Sequence, residues 1–464
     1  MKGPSHHPGA PLTPKTLALL RCPACLTGEL DNDATGPVVC QACGLSFPRL
    51  SGVALLVAKP EAAMRSYQIR LTRFMEECQA SERHLKRQLS QGDITERTRE
   101  RLALVARSLP QYSAGILGVL EDAGIRPLET SSSSDGEGKS EPDLLSYYSL
   151  IFRDFAWGRE QDEITPAVEA ILSVIPSEMR LGKTLVLGAG TGQLAWQLAA
   201  LRGNGEAVIA LDLNPLPLLV GQSLLGGRPL ELWELPGHPR RSTFAARKQA
   251  LGCATMVPPE LSLVLADALH PPIEPHSFDT VITPWFIDQV PQDAAAMGPI
   301  IRQALKPGGH WINHGPLVYD PVHTQPAHRY CADELLDKFK RAGFTVTQAS
   351  YEPQPFMASP LSSQGRSEWV LSFHATAPHT TAAKNKSTPS WLQDAAQPVP
   401  VLAGITGYQA PHPTVAAVAA LIDGQSSVKR ITQTLIERAQ LANDGTAEQA
   451  VRECLRLIIR DLSC

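Results

Sequence analysis

The sequence predicts an α/β protein built on a parallel sheet, with a small cysteine-rich module ahead of it and a helical segment behind it. Three observations carry this expectation. From about 144 to 377, short apolar runs alternate with helical patterns, as a parallel sheet with crossover helices requires. The runs KTLVLGAGTG and AVIALDLN leave a strand through a glycine turn and an acid. Near the start, CPAC and CQAC stand 14 residues apart.

At 464 residues the chain exceeds what one core organises, so several domains are expected. The net charge of −4 offers no electrostatic footprint for general nucleic-acid binding. No apolar run approaches the roughly 20 residues that span a bilayer, so no membrane partner is expected. The start, MKGPSHHPGAPLTPK, has no apolar signal core, which points to a cytoplasmic protein. Of nine cysteines, four lie in the two C-x-x-C pairs and the rest are scattered. That usage fits a reducing compartment and one metal site better than a disulfide framework.

Residues 1–14 read as a flexible tail and 15–59 as the cysteine module. Cys22, Cys25, Cys40 and Cys43 form C-x2-C-x14-C-x2-C, a spacing that presents four thiolates to tetrahedral Zn²⁺. Four thiolates close the coordination sphere, so the expected role is structural. The stretch LALLRCPACLTGEL…VVCQACGLSFPRLSGVALLV resembles the small zinc-ribbon proteins that partner and activate tRNA and release-factor methyltransferases. That resemblance implies a module working beside a methyltransferase.

Apolar residues at helical spacing make 60–128 a helical connector of one or two amphipathic helices. SSSSDGEGKSEPD marks a linker over 129–143, too polar to bury a core. The α/β domain occupies 144–377, a polar linker 378–397, and a small helical or winged-helix domain 398–464. The last segment, with its IDGQSSV turn, also resembles helical peptide-carrier domains, and the alternative is a generic three-helix module. A peptide or protein partner could reach the chain through this segment or through the ribbon.

In VLGAGTGQ the expected cofactor loop is Gly188, Ala189, Gly190, Thr191 and Gly192, with a helix from Gln193 whose N-terminus offers free N–H groups. A dinucleotide fingerprint wants a third glycine where Gln193 stands, and a phosphate loop wants Gly-Lys-Ser/Thr. Neither is present. Asp212, 24 positions after Gly188, ends the next strand where a carboxylate accepts ribose hydroxyls. Asp267, with Ala268 behind it, either accepts an adenine amino group or caps the turn that follows. Together these features indicate S-adenosylmethionine. Lys306 and the Pro307-Gly308-Gly309 turn read as a structural helix stop before another strand.

IFRDFAWGREQDE, VLGAGTGQLAWQLA, the insert LELWELPGHPRRSTFAARKQ, TPWFIDQV and WINHGPLVY together resemble the carnosine N-methyltransferase family over most of 145–377. The resemblance implies a class I methyltransferase fold, a Rossmann-like seven-stranded sheet, and methyl transfer to an imidazole nitrogen of a histidine-containing small peptide or protein. It places the family's acid on Asp288 and its Trp-Ile-Asn stretch on Trp311, Ile312 and Asn313. Arg153 becomes a candidate for the cofactor's methionine carboxylate. An imidazole carries one N–H and one lone pair, so a carboxylate that accepts the N–H sets the tautomer and stabilises the product cation. Asp288 is cast in that role, with a helix N-cap as the alternative; His314 either lines the site or is structural. Trp285 and Phe286 wall the pocket or fill core. Arg240, Arg241, Arg247 and Lys248 meet a ligand carboxylate or form a solvated face. The sequence departs from the family at Asp320, where a substrate-contacting histidine is usual, with His323 nearby. The alternatives are a ribosomally made peptide or an RNA as acceptor, or a non-catalytic cofactor-binding scaffold.

Overall fold

The computed structural model describes residues 12–462 except 27, 33–35, 92, 129–143, 160, 254–259, 291–292, 380–388, 403–404, 406–407, 409, 411–412, 439 and 442–444. The 129–143 linker and most of the 1–14 tail therefore lie outside the described residues. Contacts gather into two units, one holding most of the chain up to His379 and the other the chain from Thr380 on.

The first unit begins with helix α1 (Pro14–Leu17) and strands β1 (Leu30–Asn32), β2 (Val38–Cys40), β3 (Ser46–Phe47), β4 (Arg49–Leu50) and β5 (Val53–Leu55). Helices α2 (Pro60–Ser90) and α3 (Glu96–Asp122) form the connector. Then come α4 (Tyr148–Phe155), α5 (Ile164–Val174), β6 (Thr184–Leu187), α6 (Gln193–Arg202), β7 (Val208–Asp212) and α7 (Pro215–Leu225). The insert folds as the hairpin β8 (Leu230–Glu234) and β9 (Arg247–Leu251). Strands β10 (Leu261–Leu265) and β11 (Phe278–Pro284), helix α8 (Met297–Ala304), strand β12 (Leu305–Pro316), helix α9 (Ala332–Arg341), and strands β13 (Thr345–Phe356) and β14 (Arg366–Thr376) complete the unit.

The main sheet runs β13-β14-β12-β11-β6-β7-β10-β5-β4. Its seven strands from β13 to β10 form a Rossmann-like sheet. Strands β10, β7, β6, β11 and β12 are parallel, and β14 runs antiparallel between β12 and β13. Winding proceeds from β6 outward to β10, then restarts at β11 on the other side of β6. A sheet that reverses there opens a crevice at its carboxyl edge.

The two outer strands come from the cysteine module. β5 pairs parallel with β10, Ala54 beside Val264 and Leu55 beside Leu265, and Leu56 N donates to Leu265 O at 2.8 Å. The module therefore shares the sheet and core of the α/β domain, with Leu50, Val53 and Leu55 buried in it. Strands of two and three residues are too short for periodicity to reveal. Likewise β12 starts at Leu305, so Lys306 and the glycine turn lie inside the strand, and Lys306 pairs with Asp279.

Buried positions of the connector repeat at helical spacing: Tyr67, Leu71, Phe74 and Cys78 on α2, and Leu102, Ala106, Leu109, Ile116 and Leu120 on α3. The second unit contains α10 (Ser390–Gln393), α11 (Pro413–Ala419), α12 (Val428–Glu437) and α13 (Ala447–Leu462). Val415, Val418, Ile431, Leu435, Val451 and Leu455 form its core. Asp423 accepts from the amides of Gln425 and Ser426, which closes the turn before α12. No helix among the described residues is long and apolar enough to cross a membrane.

Helix α7 presses directly on the glycine loop: a Cβ at Gly221 would stand 1.8 Å from Thr191 O. Gly221→Ala should therefore destabilise the chain by about 1–3 kcal/mol or more, read as a lowered urea midpoint. An unchanged midpoint would show that the contact yields freely.

Candidate active site

The glycine loop owes its shape to backbone that side chains resist. Gly188, Gly190 and Gly192 have φ of 74°, 57° and 82°. Its amides are largely engaged: Gly188 and Ala189 donate to Leu211 O, Gly192 to Ala189 O, and Gly190 to Asp212 Oδ2 at 2.7 Å. The loop thus supplies a side-chain-free cradle more than the free donors its sequence suggested. Asp212 Oδ1 accepts from Asn214 N at 2.8 Å. Burial raises its pKa and the backbone N–H groups of Asn214, Gly190 and Leu213 oppose the shift. Three N–H groups leave about one of the carboxylate's roughly four acceptor sites open.

Helix α4 covers this loop. Thr191 Oγ1 donates to Asp154 Oδ2, and Leu150 approaches Gly190. Edge-to-face rings from Phe74 through Tyr112 and Tyr148 to Phe152, with centroids 5.8, 5.5 and 5.1 Å apart, tie α4 to the connector. Arg153, 5% exposed, is held by Asp154 Oδ1 at 2.7 Å and lies 4.2 Å over the Trp285 ring. Its Nη1 has no hydrogen-bond partner among the described residues. A buried guanidinium with a spare donor suits a carboxylate.

Beyond β11 the chain turns sharply. Trp285 sits at φ 46°, a strained position for a side-chain-bearing residue. Its N–H donates to His314 O at 2.6 Å. The turn is possible because Gly315 lacks a side chain; a Cβ there would stand 2.9 Å from Trp285 Cα. Phe286 packs on Gly188, where a Cβ would meet its ring at 2.5 Å. The Pro-Trp-Phe and Gly-Pro-Leu motifs are thus two halves of one close approach.

That turn delivers Asp288 into the interior, 2% exposed, on the 3-10 turn Ile287–Gln289. Asp288 Oδ2 accepts from Val318 N at 3.1 Å, and Oδ1 has no partner among the described residues. The cap of the next turn is Asp293, so Asp288 is free of that duty. Burial pushes the Asp288 carboxyl up to about 6; the Val318 N–H and the Gln289 side chain offset part of this, and the Glu368 carboxylate adds to it. His314 is fully buried, with Nδ1 2.8 Å from Ser372 Oγ and Nε2 unpartnered among the described residues. Burial, then the nearby Arg153 charge, brings it down to about 3, so its ring is neutral.

Several residues of this cluster were not among the predicted site residues. Tyr147 donates to Gln289 Oε1 at 3.0 Å, and its pKa is raised by burial and then by the Asp212 and Asp288 charges. Tyr319 has a buried hydroxyl with no partner among the described residues, its pKa raised by burial and by Asp288. Its place directly after Gly-Pro-Leu-Val was the available clue. Ser372 and Glu368 belong to no motif, and Asp154 lies beside Arg153 in IFRDFAWGREQDE; only the fold brings all three to the site.

Other candidates find local partners. Asp267 accepts from Leu269 N at 2.9 Å and pairs with His270 at 2.8 Å, while Ala268 is buried behind it. Asn313 faces away from His314: it accepts from Thr283 Oγ1 and donates to Leu371 O, and Trp311 donates to Thr283. That chain clamps β11, β12 and β14 together. On the insert, Arg240 donates to Ser362 O, Lys248 pairs with Glu231, and Arg241 covers Phe244. Glu234 anchors the hairpin, receiving Trp157 Nε1 at 3.2 Å and Gln249 Nε2 at 2.8 Å. Asp320 and His323 pair in an exposed turn at 3.6 Å.

Comparison with known proteins bears on the part of the site that holds Asp288 and His314. Residues 252–363 match the model of the carnosine N-methyltransferase family. The segment carrying Asp288 and His314 is carnosine N-methyltransferase-like. A carnosine N-methyltransferase of Dictyostelium discoideum is 29% identical over 147 residues, 28% of this chain and 31% of that protein. The match thus spans about a third of the relative's length. Among solved structures, phosphoethanolamine N-methyltransferase 2 of Haemonchus contortus with S-adenosyl-L-methionine is 16% identical, covering 52% of this chain and 58% of that one, at a TM-score of 0.33. A Haloferax volcanii complex between a methyltransferase activator and a putative methyltransferase is 18% identical, covering 50% and 96%, at 0.34. The carnosine N-methyltransferase-like segment includes the Trp285 turn, Asp288 and the Gly315 crossing, and stops short of β14.

The ribbon cysteines also converge. The sulfurs of Cys22, Cys25, Cys40 and Cys43 lie within 4.8 Å of one another, with Cys22 and Cys43 3.7 Å apart. Leu26 and Gly44, one after each pair, both have positive φ, the backbone a tight knuckle needs. Four soft donors in this spacing fit Zn²⁺.

The raised pKa of Asp288 has a thermodynamic consequence. The folded chain holds that proton more tightly than the unfolded chain, so its contribution to stability is full below about pH 4 and lost as pH rises through about 6. Asp288→Asn should then be more stable than wild type near pH 8 by on the order of 1–3 kcal/mol, and equal to it near pH 4. Urea midpoints at both values read this; equal midpoints at high pH would contradict it.

Proposed function

We propose that the chain is an S-adenosylmethionine-dependent N-methyltransferase acting on an imidazole nitrogen of a histidine-containing small peptide or protein. The observation that carries the reading is Asp288, a buried carboxylate with one oxygen unpartnered among the described residues, inside the segment matching the carnosine N-methyltransferase family. The Gly188–Gly192 loop and Asp212 hold the nucleoside, Asp267 and Ala268 border the base, and Arg153 takes the methionine carboxylate. When bound, S-adenosylmethionine supplies an electrophilic methyl on a sulfonium. Asp288 accepts the acceptor's imidazole N–H and so leaves the lone pair on the opposite nitrogen. It takes the proton as that ring becomes cationic, for which a pKa near 6 is suited. Neutral His314, fixed by Ser372, and Tyr319 border the ring. In-line positioning does the remainder of the work, as methyl transfer requires no Lewis acid.

The four cysteines hold structural Zn²⁺ in this reading, and the ribbon serves as a built-in partner module whose strand β5 completes the sheet beside β10. Purified chain should contain about one zinc per molecule, and Cys40→Ser should lose the metal and lower the melting temperature. Full metal content in that variant would remove Cys40 from the site.

Incubation with labelled S-adenosylmethionine and a panel of histidine peptides, followed by mass spectrometry, tests the activity. Asp288→Asn should bind S-adenosylhomocysteine as wild type does and lose about a hundredfold or more in kcat. Unchanged turnover would take Asp288 out of the mechanism.

A further inference from the structure

Strand β14 carries a second buried carboxylate that the proposed methyl transfer does not use. Because β14 runs antiparallel to β12, its first residues lie at the same carboxyl edge where Asp288 and the end of β12 sit. Glu368 is 8% exposed although Ser367 and Trp369 on either side of it face solvent. It shares a sheet face with Ser372, the partner of His314, because residues two apart point the same way. Pro316 pairs with Val370, so Glu368 lies opposite the point where β12 leaves the sheet toward Val318, whose amide holds Asp288. One Glu368 oxygen pairs with exposed Arg366 at 2.8 Å. The other, Oε2, is buried and without a hydrogen-bond partner among the described residues.

Leaving a carboxylate oxygen buried and unpaired is costly unless a ligand supplies the partner. Here two such oxygens, on Asp288 and Glu368, stand at one edge of the sheet. A neutral or anionic acceptor group brings no counter-charge to a buried carboxylate. A group carrying positive charge and N–H donors supplies both the charge and the missing partner. The imidazole N–H satisfies Asp288, so the charge belongs elsewhere on the same acceptor.

Resting on the imidazole reading above, we propose that Glu368 is a specificity-determining residue that binds an ammonium group of the acceptor, selecting histidine compounds that carry a free amine. Two carboxylates then grip one molecule at two points, one at the ring and one at the amine. Glu368 lies beyond the stretch matching the carnosine N-methyltransferase family.

The test is calorimetry on the full zinc-loaded chain with S-adenosylhomocysteine present, comparing a histidine dipeptide that has a free amine with its N-acetylated form. Wild type should bind the free amine about tenfold or more tighter. Glu368→Gln should erase that preference without changing S-adenosylhomocysteine affinity, and Glu368→Asp should retain most of it. Equal affinity for both peptides in wild type, or a preference that survives Glu368→Gln, overturns the proposal. Methyl transfer to the bound peptide is read separately by mass spectrometry. Selective binding without imidazole methylation would sink the imidazole reading and leave the role of Glu368 as an amine site standing.

Discussion

The candidate site depends on the ladder between β6 and β11, where the winding of the sheet reverses. The two strands run parallel and end together, so the glycine loop after one must share space with the Pro-Trp-Phe turn after the other. Gly188 yields that space to the Phe286 ring. With the loop and the turn in contact, Asp212 and Asp288 come to one edge of the sheet. A side chain at Gly188, or a shift in this pairing, would separate the two halves of the chemistry.

A second close approach repeats the logic on the neighbouring strand. Gly315 in β12 admits the backbone of Trp285, whose left-handed conformation turns Ile287 and Asp288 inward. The strain is held by the Trp285 N–H on His314 O and by the Arg153 guanidinium over the indole. Arg153 is in turn tied to Asp154, and Asp154 to the glycine loop. The Trp285 turn and the glycine loop are therefore joined through one network of a cation–π contact, an ion pair and a hydrogen bond, and α4 carries its middle members. Such a network places buried charge where water is excluded, which strengthens each interaction and raises the cost of leaving a member unpaired.

The modules flanking the sheet bear on the same edge. The ribbon's strand β5 covers the side of β10 that would otherwise be an open edge with unpaired backbone groups. Tyr67 of α2 donates to Leu213 O, directly beyond Asp212, and the aromatic ladder steadies α4. The connector thus braces the cofactor side of the site from outside the sheet.

What the sequence determined by itself was whatever rests on local pattern. The four cysteines, the glycine loop, Asp212 one strand later, and the motif pair around Asp288 and Gly315 are legible because ligand spacing, backbone conformation and strand ends are set by neighbours in the chain. The alternating strands and helices of 144–377 are legible for the same reason. Tertiary structure alone decided the rest. The placing of β4 and β5 in the main sheet, the inward face of Glu368, the Ser372–His314 pair and the partner role of Asp154 all come from residues distant in sequence. Asn313 and His314 are adjacent, yet strand alternation sends one to a structural clamp and the other to the site. Which face is which depends on what packs against it, and that is known only once the sheet has formed.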